Sequence, residues 1–164
     1  MPRDYFGSGS SAAGDPGPPG ADGAPGADGA PGVFELAYAE IAADFPYSTG
    51  TFASPEVVTG LSITFTLAAT EEIEVEALIP ILKNTTNDYA LLHIFQGATE
   101  KQRVAALSST QAGGSLAYAK RRLTLAAGTY TFTARVSAGG TGTPHATAQA
   151  GATFPAFITA RKLG

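Results

Sequence analysis

The sequence has no cysteine, no tryptophan and a single methionine. Without thiols it can build neither a disulfide framework nor a zinc–thiolate site. Charge is sparse: 10 Lys and Arg stand against 14 Asp and Glu, for a net charge of −4. Such a balance leaves no basic face of the kind nucleic acid requires. Two histidines, His93 and His145, are too few for a histidine-rich metal centre. No apolar run approaches the roughly 20 residues of a membrane span. The opening residues, Met-Pro-Arg-Asp-Tyr-Phe-Gly-Ser-Gly-Ser, lack the apolar core of a signal peptide. There is no G-x-S-x-G elbow, no P-loop lysine and no H-E-x-x-H motif. No window keeps a period of 3.6 beyond about two turns, so helices are not expected. Taken together, these absences predict no enzyme, no catalytic residue, no cofactor, no metal, no nucleic-acid partner and no membrane insertion.

What is present begins with glycine. Gly14, Gly17, Gly20, Gly23, Gly26, Gly29 and Gly32 fall at every third position without a miss, with prolines at 16, 18, 19, 25 and 31. Strict G-X-Y with this much proline is the signature of the collagen triple helix, where three polyproline-II chains wind together and only glycine fits at the axis. One collagen strand has no internal hydrogen bonds, so the motif predicts a homotrimer. The competing reading is a flexible Pro/Gly-rich linker, which the composition permits but the unbroken period does not favour. A stalk of 19 residues at ~3 Å each would extend about 55 to 60 Å. Six triplets are few for a stable triple helix, so the rest of the chain is expected to hold the register. Before the stalk, residues 1–13 are polar except for Tyr5 and Phe6. That aromatic pair suggests a docking anchor; a plain flexible tail is the alternative.

From Val33 the composition turns to Ala, Thr, Leu, Ile, Val, Phe and Tyr, and residues 33–164 are expected to form one head. Val33 to Ala42 reads as a strand with Phe34, Leu36 and Tyr38 on one face, and Phe45-Pro46-Tyr47 as a turn. Leu61, Ile63, Phe65 and Leu67 alternate with Ser and Thr; Ile73, Val75, Ala77, Ile79 and Ile81 alternate with glutamates. Pro80 suggests an edge or a bulge in that second strand. Tyr89 to Gln96 is apolar on both faces. Gly113 to Leu125 reads as one long strand or two short ones broken at Lys120-Arg121-Arg122. Thr129 to Ser137 alternates cleanly. Eight or nine strands at this spacing predict an all-β fold: a β-sandwich head, jelly-roll-like, behind a collagen-like stalk.

Excess aromatic and aliphatic residues at Phe34, Tyr38, Tyr89, Leu91, Phe95, Phe154 and Phe157 are candidates for packing between subunits. His93 shares a face with Tyr89, Leu91 and Phe95, and is read as a packed or interface histidine. Three copies of it meeting around an ion is the sharper alternative. Glu72, Glu74 and Glu76 share a strand face, which is most simply a solvated face that blocks edge pairing. A calcium site there would need more oxygen ligands from elsewhere. The basic cluster Lys120-Arg121-Arg122 is expected to pair with those glutamates, within or between subunits; binding an anionic glycan is the alternative. Loop residues Asn84, Asn87, Asp88, Thr141, Thr143 and His145 are candidates for receptor contact, since loops at the end of a sandwich deliver binding residues. Asn84-Thr85-Thr86 also fits a glycosylation sequon.

A short tail, Gly-Ala-Pro and Gly-Ala-Asp triplets, and a Thr/Ala-rich β head together resemble the collagen-containing minor tail proteins and fibres of bacteriophages. The segment Ala126-Ala127-Gly128-Thr129-Tyr130-Thr131-Phe132-Thr133-Ala134 is similar to a strand entry of such heads, and Phe157-Ile158-Thr159-Ala160-Arg161-Lys162 to their closing strand. The resemblance implies a structural virion protein assembled in the host cytoplasm. Its partners would be other virion proteins and, in a host-attachment role, a cell-surface glycan. Trimeric heads of the tumour-necrosis-factor type share the layout. So do collagen-like filaments of bacterial and spore surfaces, and a capsid fibre or decoration protein would serve as well as a tail fibre.

Overall fold

The computed structural model describes residues 32–47, 51–83, 89–107, 113–139, 146–151 and 155–164. The stalk up to Gly29, Tyr5, Phe6, Asn84, Asn87, Asp88, Thr141, Thr143, His145 and Phe154 lie outside the described residues. Among the described residues there are ten strands and no helix: β1 (Phe34–Ile41), β2 (Phe45–Tyr47), β3 (Glu56–Leu67), β4 (Glu71–Lys83), β5 (Ala90–Gln96), β6 (Thr99–Leu107), β7 (Gly113–Leu125), β8 (Gly128–Ala138), β9 (Ala146–Ala148) and β10 (Ala156–Lys162).

They form two antiparallel sheets, consistent with a β-sandwich. The four-stranded sheet runs β3-β8-β5-β6. In the six-stranded sheet, β4 pairs with β7 along its whole length. On its other side it pairs first with β10 and then with β9, and these pair in turn with β1 and β2. Alternation decides which side chains fill the space between the sheets. From β3 come Leu61, Ile63, Phe65 and Leu67, from β4 Ile73, Val75, Ala77, Ile79 and Ile81, from β5 Leu92 and Ile94, and from β8 Phe132, Ala134 and Val136, all buried. The Phe65 and Phe132 rings stack at 5.9 Å within that layer.

Four sequence expectations change. Phe45-Pro46-Tyr47 is a strand, not a turn; it pairs with β9 and buries Tyr47. Lys120-Arg121-Arg122 does not interrupt β7, because its register against β4 is unbroken from Gly113 to Leu125. Phe34, Leu36 and Tyr38 do not share a face, because the β1 register shifts between Glu35 and Ala37. A one-residue irregularity reverses every side chain beyond it, so Leu36 packs against the core while Tyr38 points outward. Finally, Pro80 lies in a central strand. Its carbonyl accepts from Gln149 N–H at 2.8 Å. Its missing N–H therefore faces the gap where β4 passes from β10, last paired at Leu78, to β9, first paired at Ile81. A proline is tolerated there because no ladder bond is owed.

Candidate interaction surface and the buried histidine cluster

The outward face of the six-stranded sheet is built by an unusual division of labour along its strands. In the strands flanking β4 many inward positions are alanine: Ala37 and Ala39 in β1, Ala117 and Ala119 in β7, Ala156 and Ala160 in β10. Positions pointing outward are large. Register places Phe157, Leu78 and Tyr118 in one row across β10, β4 and β7, with Pro80 and Leu116 in a neighbouring one. Tyr38 stacks on Phe157 at 5.9 Å. Tyr38 is 47% exposed, Tyr118 45% and Leu116 57%. This apolar half of the face lies away from Phe34, where β1 begins.

The half nearer the start of β1 is ionic. Glu74 and Glu76 are only 5% and 7% exposed, although they point away from the core. Cations cover them: Lys120 Nζ lies 2.7 Å and Arg122 Nε 2.9 Å from Glu74, and Arg161 reaches Glu76 at 2.9 Å. Lys162 pairs with Glu71 at 2.7 Å. The expected solvated, edge-blocking glutamate face is thus corrected for Glu74 and Glu76, though Glu72 is exposed: β4 is central, and the strands on both sides bring cations onto those two acids. The expected pairing of Lys120 and Arg122 with them occurs within one chain. The hydrogen bond from Lys120, opposed by desolvation and aided by Arg122, holds the Glu74 carboxyl below its ordinary range. The two tyrosines bridge the halves. Tyr118 donates to Glu76 and Tyr38 to Glu40, each at 2.6 Å. These hydrogen bonds to carboxylates, with some desolvation, push each phenol up to about 12.

The outward face of the four-stranded sheet is different. Leu91, His93 and Phe95 line one side of β5 and are buried within the single chain. Arg135 lies over the Phe95 ring at 4.1 Å and donates to Gly97 O, and Arg103 lies over Phe52 at 4.1 Å. Farther along, Thr64–Thr131 and Thr66–Thr129 hydroxyl pairs cover β3 and β8. So the apolar outer side of β5, expected to need cover from a neighbouring subunit, is already buried within this chain, with Arg135 over Phe95. Tyr89 is half-buried beside Gly139, where a Cβ would lie 2.6 Å from its ring.

His93 is fully buried, with Nε2 2.8 Å from Ser137 Oγ and Nδ1 3.4 Å from Glu100. Hydroxyl, imidazole and carboxylate in this order match the contacts of a nucleophilic triad. Ser137, however, is also fully buried, so no substrate reaches its oxygen. Desolvation lowers the His93 pKa; Glu100 opposes this while Arg103 and Arg135 reinforce it. The imidazole is accordingly a neutral hydrogen-bonding element of the sheet. Among the described residues no group of three or more His, Asp or Glu could hold a metal ion. No helix there is long and apolar enough to cross a membrane.

The structure thus brings Tyr38 and Phe157 together, leaves Phe34 exposed at the start of β1, and puts Leu91, His93 and Phe95 on the opposite sheet. Leu116 and Tyr118 were not singled out from the sequence. Their signal was there, in large side chains alternating with alanine in Leu-Ala-Tyr-Ala. No family model matches the chain, and no curated protein matches it.

Proposed function

We propose that the chain is a homotrimeric fibre of a bacteriophage particle, a non-enzymatic structural protein of the minor tail type with a role in host attachment. The observation that carries this reading is the unbroken glycine period running into a compact β head. The strand order supports it. From β2 to β9 consecutive strands cross between the sheets except at the β5-β6 hairpin, and the pairs β1:β10, β3:β8, β4:β7 and β5:β6 nest as in a rolled-up jelly roll. Such heads suit a stalked trimer, because three copies present three sites and avidity compensates for a small footprint on each. Tyr5 and Phe6 serve as the particle anchor, the 14–32 stalk as a spacer, and the loops around residues 84–88 and 140–145 as the outward contact with a surface glycan.

Two measurements test it. Sedimentation of the purified chain should give three times 16.6 kDa; a monomer ends the trimeric reading. Particles carrying a chain without residues 1–13 should lose the fibre; full occupancy removes the anchor. If particles lacking the whole protein adsorb normally and the pure trimer binds no host envelope, attachment fails and an architectural role is left.

A further inference from the structure

We infer that the three heads meet through the outward face of the six-stranded sheet, head to tail, with the β1 edge of one copy against the β7 edge of the next. The inference rests on the trimeric reading above and adds which surface closes the ring.

Three independent observations converge on it. First, only Val33 separates the last stalk glycine, Gly32, from Phe34 at the start of β1. Two residues span at most about 7 Å, so each head leaves the common axis through an edge strand of this sheet. Val33 and Phe34 are exposed at that exit. Second, the two sheets differ in what they show to solvent. The four-stranded sheet lays Arg135 over Phe95, and of its described strand residues only Val57 is an exposed large hydrophobic. The six-stranded sheet leaves Tyr38, Leu116 and Tyr118 about half exposed beside Phe157 and Leu78. Third, its two edges have opposite charge. β1 carries Glu35 and Glu40 and no cation; β7 carries Lys120, Arg121 and Arg122 and no acid, the two cations Lys120 and Arg122 sharing the single Glu74 carboxylate. No ion pair among the described residues uses Glu35 or Glu40.

Opposite charges on opposite edges fit a rotation better than a two-fold. A two-fold contact made edge to edge, β1 on β1 or β7 on β7, would oppose like charges. A heterologous contact repeated by a three-fold axis sets each acidic edge against a basic one and closes the ring. The apolar rows then bury one another beside the axis, as at the core of an obligate interface.

The cysteine-free chain allows a clean test. Full-length chains carrying Tyr38→Cys are co-expressed with differently tagged chains carrying Tyr118→Cys, and treated with a short bismaleimide. A link between the two tags is then necessarily intermolecular. As a control, Val57→Cys, exposed on the other sheet, replaces Tyr38→Cys. Linkage of the 38/118 pair at several times the yield of the 57/118 pair is expected. Equal or greater linkage through position 57, in material that sediments as a trimer, overturns the proposed face and leaves the trimer standing. Material that sediments as a monomer overturns both. Circular dichroism of each variant confirms the β fold; all three positions are at least two-fifths exposed, so the substitutions leave the core intact.

Discussion

Single residues in this head are judged by what covers them. His93 and Glu74 both point away from the core, yet neither is free in solvent. For His93 the folded state disfavours the proton, because burial outweighs the pull of Glu100. A depressed imidazole pKa means that the unfolded chain binds the proton first. Stability is therefore complete above the ordinary value of 6.5 and declines as the pH falls below it. For Glu74, with its pKa lowered by Lys120 and Arg122, stability is present above the ordinary 4.5 and is lost as the pH falls further. Melting curves between pH 8 and pH 3 should thus show two successive losses. His93→Gln should flatten the first and Glu74→Gln the second. A first step unchanged in His93→Gln would assign it to another group. Leu91 makes a sharper point. Buried beneath this chain's own cover, it should unfold the head when replaced by aspartate, at a cost of about 3 kcal/mol or more. If Leu91→Asp instead gives folded monomers, β5 lies at the subunit interface after all.

At the scale of elements, irregularities decide what the strands present. Between Val57 and Ser62, β3 departs from its register with β8. Gly60 sits there at φ +92°, with Ile41 Cγ2 2.7 Å from where a Cβ would be. Both the backbone conformation and the contact exclude a side chain. Gly60→Ala should cost about 2 to 3 kcal/mol, read as a lower denaturation midpoint at unchanged slope. The β1 irregularity has the opposite character: it turns Tyr38 outward onto Phe157 and so helps assemble the apolar face. β4 shows how pairing overrides pattern. Its Glu-Ile-Glu-Val-Glu run reads as half solvated. Both neighbours carry cations at the matching rows, Arg122 and Lys120 on one side and Arg161 on the other, and Glu74 and Glu76 become buried while Glu72 stays exposed.

For the whole molecule, the proposed division of labour makes the head the trimerising unit and the stalk a spacer. A chain beginning at Val33 should remain trimeric in sedimentation; a monomeric head would transfer that role to the stalk. In the full chain, Gly23→Ala should open the triple helix locally. Limited proteolysis should then cut within residues 14–32 while the head survives. Cleavage of the unaltered chain at the same rate would favour a flexible linker.

Period alone was enough for part of this. Alternation in Leu61 to Leu67, Ile73 to Ile81 and Thr129 to Ser137 identified β3, β4 and β8, because side chains on a strand must face opposite ways. Glycine at every third position determined the collagen-like reading by the same kind of local rule. Tertiary structure decided everything that depends on which strands become neighbours. It made a strand of Phe45-Pro46-Tyr47 by supplying β9, admitted Pro80 to a central strand at a change of partner, and covered Glu74 and Glu76 with cations. It also covered Leu91 and Phe95 while leaving Tyr38 and Tyr118 bare. A strand's own residues specify its two faces, but only the strands and loops packed beside it determine which of those faces meets water.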